Sequence, residues 1–148
     1  MEAAQTVTVR AVIAFPHLNQ TIMYRGASTG KFGVQLGQLS NKARLALEGL
    51  GLEVKSKEED KYDRGHFVEC KSKFPLDNSG KYPVIFEDVP GGRPEPVEYG
   101  AESIGYGTTV RAKIKAYTTQ DGPKPSLISM VIEDLVEPEV TLDEDEVL

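Results

Sequence analysis

The segment Thr108–Thr118 (TTVRAKIKAYT) alternates apolar and polar side chains with a period of two, and this pattern constrains the fold more than any other feature of the chain. Successive side chains of a β-strand point to opposite faces of a sheet. One face therefore carries Val110, Ala112, Ile114 and Ala116, and the other carries the cationic and hydroxyl side chains between them. The pattern predicts a strand with one face buried in a core and the other exposed.

Five further segments have the composition of strands, and most are bounded by proline, glycine or other turn residues. They are Thr6–Phe15, Lys31–Leu39, His66–Phe74, the short run Val84–Phe86, and Ser126–Val136. The pair Asp121-Gly122, between the last two long strands, is typical of a hairpin turn. The connection Glu87–Tyr106 is unusually long for a compact domain, which indicates either a functional loop or an element that the pattern does not reveal.

One segment has the spacing of a helix. Ser40 can act as its N-cap, because a serine hydroxyl accepts a hydrogen bond from a free amide of the first turn. Behind it, apolar side chains recur on one side at Ala43, Ala46, Leu47 and Leu50. Five or six strands with one short helix after the second strand predict a mainly β fold, a small closed or nearly closed barrel.

The charge of the chain is concentrated at its end. Residues 1–136 are formally neutral, and the whole net charge of −6 resides in residues 137–148, which contain no basic side chain. The acidic residues of this tail are Glu137, Glu139, Asp143, Glu144, Asp145 and Glu146, followed by Val147 and Leu148. We therefore expect one folded domain over residues 1–136 and a disordered acidic tail that can imitate nucleic acid toward a basic surface.

Several classes of function are disfavoured by what the sequence lacks. Cys70 is the single cysteine, and His17 and His66 stand alone, so no metal-ligand cluster and no disulfide framework is expected. No phosphate-binding loop or nucleophile elbow is present, and we expect neither an enzyme nor a cofactor. No stretch approaches the roughly 20 apolar residues of a membrane span. The expectation is a cytoplasmic protein without membrane contact.

The polar face of Thr108–Thr118 is the first candidate binding site. Arg111, Lys113 and Lys115 recur every ~6.6–7 Å, twice the strand rise, and Tyr117 ends the row. Cations at this spacing suit the phosphates of an extended single strand, and a ring can stack on any base. Further candidates on other strands and loops are Arg10, Tyr24, Arg25, Lys31, Phe67, Lys71 and Lys73. Alternating cations on a strand are also typical of a merely solvated face or a protected edge.

Five short motifs follow one another along the chain before the acidic tail: KFGVQL from Lys31, GHFVECKSKFP from Gly65, FEDVP from Phe86, IGYGTTVRAKIKAY from Ile104 and SLISMVIEDLVE from Ser126. In their order they resemble the replication single-stranded DNA-binding proteins of short-tailed phages. The chain departs from that family in having no tryptophan and in ending on Val147-Leu148 instead of an aromatic residue. The resemblance covers the chain from about Lys31 onward.

The resemblance implies a five-stranded barrel of the oligonucleotide/oligosaccharide-binding (OB) type that coats single-stranded DNA in replication and recombination without reading its sequence. It implies DNA contact by Arg111, Lys113 and Lys115, and by Tyr117 as a stacking ring. It also implies that the acidic tail binds phage replication proteins, namely DNA polymerase and helicase-primase, and covers the DNA site when DNA is absent. A homodimer is a further implication.

Two other functions fit the residues. A small β-barrel adaptor would bind proteins through its tail and long loop, and the neutral body favours this, because many nucleic-acid-binding domains are overtly basic. An RNA-binding module of the same fold also fits, because little in the sequence would distinguish ribose from deoxyribose.

Overall fold

The computed structural model describes residues 6–57 and 59–138. Within them it contains nine strands, one α-helix and a short 3₁₀ helix at Ala101–Ser103. The strands are β1 Thr6–His17, β2 Met23–Tyr24, β3 Ala27–Ser28, β4 Phe32–Gly37, β5 Val68–Ser72, β6 Ile85–Glu87, β7 Glu95–Pro96, β8 Thr109–Thr119 and β9 Gly122–Asp134, and helix α1 is Asn41–Gly49. The mainly β class and the single α-helix after the second long strand are as predicted from the sequence.

Seven of the strands form one sheet in the order β5-β4-β1-β8-β9-β6-β7, and β2 and β3 form a separate hairpin. The predicted five-stranded barrel is therefore not what the hydrogen bonds form, because the sheet has seven strands and its ladder is open. All neighbouring pairs are antiparallel except β6 and β9, which are parallel. Strands β5 and β9 lie against each other without ladder hydrogen bonds.

Two prolines limit hydrogen bonding at the free edge of β9. A hairpin of two linking residues, Gln120 and Asp121, makes Thr119 and Gly122 the closing pair of the β8–β9 ladder. Pro123 and Pro125 then fall at positions whose backbone nitrogens face away from β8. Proline has no N–H to donate, so this edge of β9 cannot support a ladder over these residues.

The inner faces of the long strands form one core. On β8, Val110, Ala112 and Ile114 are fully buried while the side chains between them reach solvent, which confirms the predicted alternation. They pack with Val34 of β4 and Val68 of β5 among others. Burying one such aliphatic side chain contributes roughly 1.5–3 kcal/mol, so the inner face of β8 is a principal source of stability.

The helix begins as the sequence predicts. The Ser40 hydroxyl accepts from the amide of Ala43 at 3.1 Å, and Leu47 is fully buried in the core. Gly51, at φ +83°, then reverses the chain where a Cβ would lie 3.0 Å from the ring of Pro123. This contact lets the segment after α1 pack close to the start of β9.

The long connection Glu87–Tyr106 contains elements that the sequence pattern did not reveal. Strand β7 pairs with β6, and the 3₁₀ helix buries Ala101, with Ile104 buried directly after it. Asn78 ties this region together, since its side-chain oxygen accepts from the amides of Val84 and Ile85, both at 2.8 Å. Within the described residues, no helix is long and apolar enough to cross a membrane.

Candidate nucleic-acid interface

The gap between β5 and β9 is bordered by a cationic and aromatic surface that we call the basic groove. It encloses a volume of about 350 Å³ and is lined by Lys31, Lys71, Ser72, Lys73, Phe74, Tyr117 and Ser126. A second cleft of about 590 Å³ adjoins it and shares three of these residues, with Lys55 and Lys124 also in its wall. Four residues predicted from separate parts of the sequence, Lys31, Lys71, Lys73 and Tyr117, therefore meet in one place.

The β8–β9 hairpin determines one wall of the basic groove. In the ladder, Tyr117 lies opposite Lys124 and Lys115 lies opposite Ser126. Opposed residues of an antiparallel pair point to the same face, so Lys115 stands beside Ser126 at the groove margin and is exposed. The register of the hairpin therefore brings Lys115, Tyr117 and Lys124 to one side of the groove.

Strand β5 supplies the other wall. The Lys71 ammonium lies 3.2 Å from a Glu69 carboxylate oxygen, and the second oxygen of Glu69 accepts from the Gln35 amide at 2.9 Å. Burial acts to raise the pKa of Glu69, but the ion pair with Lys71 and the hydrogen bond outweigh it, so the pKa is lowered. Glu69 thus stays ionised and partly neutralises Lys71, while Lys73 has no carboxylate within ion-pair distance among the described residues.

Phe74 belongs to the basic groove although the sequence pattern assigned it to the end of a strand. Strand β5 ends at Ser72, whose hydroxyl accepts from the Phe74 amide at 3.0 Å and turns the chain outward. The ring is 75% exposed. The signal that could have identified it is Pro75, because a residue before proline at a strand end often leaves the sheet.

Besides Lys71, two of the predicted cations, Arg10 and Arg111, are engaged by carboxylates. Arg10 and Arg111 lie directly opposite each other on β1 and β8. Arg10 donates to both oxygens of Glu133, at 2.9 and 3.2 Å, and Arg111 donates to both oxygens of Asp88, at 3.0 and 2.8 Å. The Arg111 guanidinium holds the pKa of Asp88 below its usual range. The charges of these four side chains sum to zero, so Arg111 is neutralised within the basic row on β8, whereas Lys113 and Lys115 have no ion-pair partner among the described residues.

The remaining predicted cations are exposed, but not all adjoin the groove. Lys113 follows Arg111 on the same face of β8, and no carboxylate of the described residues lies within ion-pair distance of it. Tyr24 and Arg25 form the tip of the β2–β3 hairpin, where the Arg25 guanidinium lies 5.3 Å from the Tyr24 ring centre. Neither lines the basic groove.

The structure corrects the placement of Phe67. Strand alternation predicts its ring on the exposed face beside Lys71, yet Phe67 is only 3% exposed. The guanidinium of Arg64 lies 4.2 Å above the ring and covers it. Arg64 belongs to the charge-rich segment between α1 and β5, and its packing over this face could not be read from strand alternation. Phe67 has no face free for a base.

The acidic tail is described only at its start. Glu137 and Pro138 line a cleft of about 970 Å³ beside Phe15 and Tyr106, away from the basic groove. The other predicted tail residues, Glu139 and Asp143 to Leu148, lie outside the described residues, as does the predicted disorder of the tail. Among the residues that the structure describes, no group of three or more His, Cys, Asp or Glu side chains could hold a metal ion.

Comparison with solved structures finds this fold in a phage protein. The chain matches the single-stranded DNA-binding protein of bacteriophage Enc34 with a TM-score of 0.55 and 14% identity, over 96% of this chain and 89% of that one. It matches the same protein in complex with single-stranded DNA with a TM-score of 0.57 and 14% identity, over 90% and 89% of the two chains. A C-terminal truncation of that protein gives a TM-score of 0.56 and 12% identity, over 91% and 88%.

No protein-family model and no curated protein sequence matches the chain. At 12–14% identity the structural matches establish a shared fold. The resemblance to phage single-stranded DNA-binding proteins, first indicated by the order of short motifs, is confirmed at that level.

Proposed function

We propose that this protein binds single-stranded DNA without sequence preference, using the basic groove as the central part of its interface. The observation that carries the proposal is the convergence of Lys31, Lys71 and Lys73 with the exposed rings of Phe74 and Tyr117 at the gap between β5 and β9. Lysines neutralise phosphates, and rings of this kind stack on bases of any identity.

The topology supports the location. Strands β1, β4, β5, β8 and β9 correspond in order to the five strands of an OB barrel, which is partly open and binds oligonucleotides on strands 2 and 3 and on the loops after strands 1 and 4. Here those positions hold Lys31 in the first loop, Lys71 and Lys73 at the third strand, and the β8–β9 turn. This correspondence supports the basic groove as the oligonucleotide site.

The same arrangement gives a preference for single strands. A duplex keeps its bases stacked inside, so the rings of Phe74 and Tyr117 have no base to stack on. Only the attraction between the lysines and the phosphates then contributes to binding. Stacking contributes roughly 1–3 kcal/mol per base. The Enc34 protein, whose fold this chain shares, has been captured with single-stranded DNA. We propose the corresponding role for this chain in phage DNA replication and recombination.

The tail is proposed to bind replication proteins such as DNA polymerase and helicase-primase, and to compete with DNA. It leaves the folded domain, residues 1–136, at the far end of the β8–β9 hairpin, where the Gly105 amide donates to the Val136 carbonyl at 2.7 Å. The eight-residue step from Ser126 to Asp134 spans on the order of 27 Å, and the ten residues after Pro138 reach at most about 36 Å. Competition within one chain therefore needs an almost extended tail, and exchange of tails within a homodimer would relax that requirement.

The test is fluorescence anisotropy with labelled oligo-dT, a duplex and an RNA of equal length, each at low and high salt. The proposal predicts salt-sensitive binding to oligo-dT that clearly exceeds binding to the duplex. An RNA affinity equal to that for DNA would favour the RNA-binding alternative. Absence of binding to every nucleic acid would refute the proposal and favour the protein adaptor.

A further inference from the structure

A second exposed aromatic surface lies on the same side of the sheet as the basic groove, beyond β4. It consists of Phe15, Tyr62 and Tyr106, with Arg64 beneath them, and we call it the tyrosine platform. Phe15 meets Tyr62 and Tyr106 edge-on, at centroid distances of 4.6 and 5.2 Å. The two tyrosine rings lie 6.2 Å apart and 27° from parallel, and each residue is more than 40% exposed.

The platform is held rigidly from below. Arg64 is 6% exposed and donates to both oxygens of Asp60, at 2.8 and 3.2 Å, while its guanidinium lies 5.4 Å from the centres of the Phe15 and Tyr62 rings. Phe15 itself adopts φ +47°, where the β1 ladder is irregular between Ala14 and His17. A bulky residue takes such a conformation only where its surroundings enforce it. These contacts therefore bring the three rings together without a bound partner.

Both tyrosines are more than 40% exposed, so part of each ring reaches solvent. They line two separate clefts, one of about 330 Å³ and one of about 970 Å³. Burial raises the pKa of Tyr106, so its phenol stays neutral and does not repel phosphate. The Lys61 ammonium lies 5.1 Å from the Tyr62 ring centre and is the nearest exposed cation. Two neutral rings with one lysine are suited to stacking on bases more than to neutralising phosphates.

A chain of hydrogen bonds connects the platform to the basic groove. Lys71 pairs with Glu69, the side-chain amide of Gln35 donates to Glu69, and the side-chain oxygen of Gln35 accepts from Arg64 at 2.5 Å. On β4, Gly33 pairs with Lys71 of the basic groove and Gly37 lies against the backbone of Arg64, so four residues, on the order of 14 Å, separate Lys71 from the base of the platform. An OB domain covers roughly 4–16 nucleotides, so one bound strand can span both surfaces.

We propose that Tyr62 and Tyr106 form a second base-stacking site, at which a single strand lying in the basic groove continues across β4 and places bases against the two rings. The inference rests on the proposed function and extends it, because the platform lies outside the strands and loops that an OB barrel ordinarily uses. It assigns a role to Arg64 and Asp60, which position the rings and do not touch the DNA.

The experiment compares two ligands of about sixteen positions, oligo-dT and an abasic oligonucleotide that has phosphates but no bases, on full-length protein. Tyr62→Leu and Tyr106→Leu remove the rings and keep an apolar side chain, and Tyr62→Phe and Tyr106→Phe restore the rings. Tyr82→Leu is the matched control, since Tyr82 is exposed but lines neither the groove nor the platform clefts. Thermal unfolding checks that each variant is folded.

Each leucine variant is expected to weaken oligo-dT binding at least about fivefold, the lower end of the loss of one stacked base. Abasic binding and the salt dependence should be unchanged, and the phenylalanine variants and the control should match the wild type. If the leucine variants bind oligo-dT as tightly as the wild type, or lose equal affinity for both ligands, the second site is overturned but the groove is not. Failure of the wild-type protein to bind oligo-dT would overturn the proposed function itself.

Discussion

The structure divides the predicted cations into paired and unpaired groups, and this division predicts which of them contact phosphate. Lys31, Lys73 and Lys115 are exposed and, among the described residues, have no carboxylate within ion-pair distance. Arg10 and Arg111 are held by Glu133 and Asp88. A phosphate must displace a carboxylate to reach either arginine, but it meets the lysines directly.

The perturbation is the triple replacement Lys31→Ala, Lys73→Ala and Lys115→Ala. Each phosphate contact on a single strand contributes about −0.7 to the slope of log affinity against log salt. Loss of three contacts should therefore make the slope about 2 less steep. Between about 50 and 200 mM salt, the wild-type protein should lose roughly twentyfold more affinity for oligo-dT than the variant loses.

The assay is anisotropy of labelled oligo-dT over a salt series. A control of equal net charge replaces Lys42, Lys81 and Arg93 by alanine, three exposed cations on α1 and in two loops. Its slope should stay close to that of the wild type. An equal reduction in both triple variants would mean that the overall charge, not the groove, governs binding. An unchanged slope in the groove variant would refute phosphate contact by these lysines.

Three further predictions follow from the described contacts. Hydrogen bonds from Arg64 hold the pKa of Asp60 well below its usual range. The ionised Asp60 therefore stabilises the fold above about pH 4, and this contribution disappears as the pH falls below that value. In urea unfolding, Asp60→Asn should lose less unfolding free energy between neutral and acid pH than the wild type, and an identical loss would contradict the prediction. Burial raises the pKa of the Cys70 thiol to about 12. An alkylating reagent near pH 8 should therefore modify the unfolded protein but not the native protein. Rapid modification of the native protein would contradict this prediction. Removal of residues 137–148 should tighten oligo-dT binding and make it less sensitive to competing polyanions, and equal affinity of the two proteins would refute competition by the tail.

Much of the fold is readable from local sequence. The alternation on β8 and the Ser40 cap depend on neighbours a few residues away, and the structure agrees with both. Pro123 and Pro125 were not recognised as strand residues, because proline ordinarily indicates a strand boundary. Their nitrogens face the open edge, so the strand continues through them and the hairpin is tighter than the sequence indicated.

The candidate site was only partly predictable, because its contacts join residues that are distant in the sequence. Lys71 and Tyr117 were identified as candidates from alternation alone, but alternation says nothing about which strands approach each other across an open edge. The pairing of Arg111 with Asp88 joins residues 23 positions apart, and the cover of Phe67 by Arg64 depends on how a charged loop folds back. Such tertiary contacts decide which exposed-looking residues remain available to a ligand.

The most direct test of the central claim is a titration of isotope-labelled protein with oligo-dT, followed through the backbone amide NMR signals of this 16.2 kDa chain. The account predicts that shifts concentrate around Lys31, Lys71–Phe74 and Tyr117, while the amides of α1, Asn41–Gly49, stay in place. Shifts centred on α1 or another surface, or a spectrum unchanged at saturating DNA, would contradict the assignment of the basic groove as the DNA site.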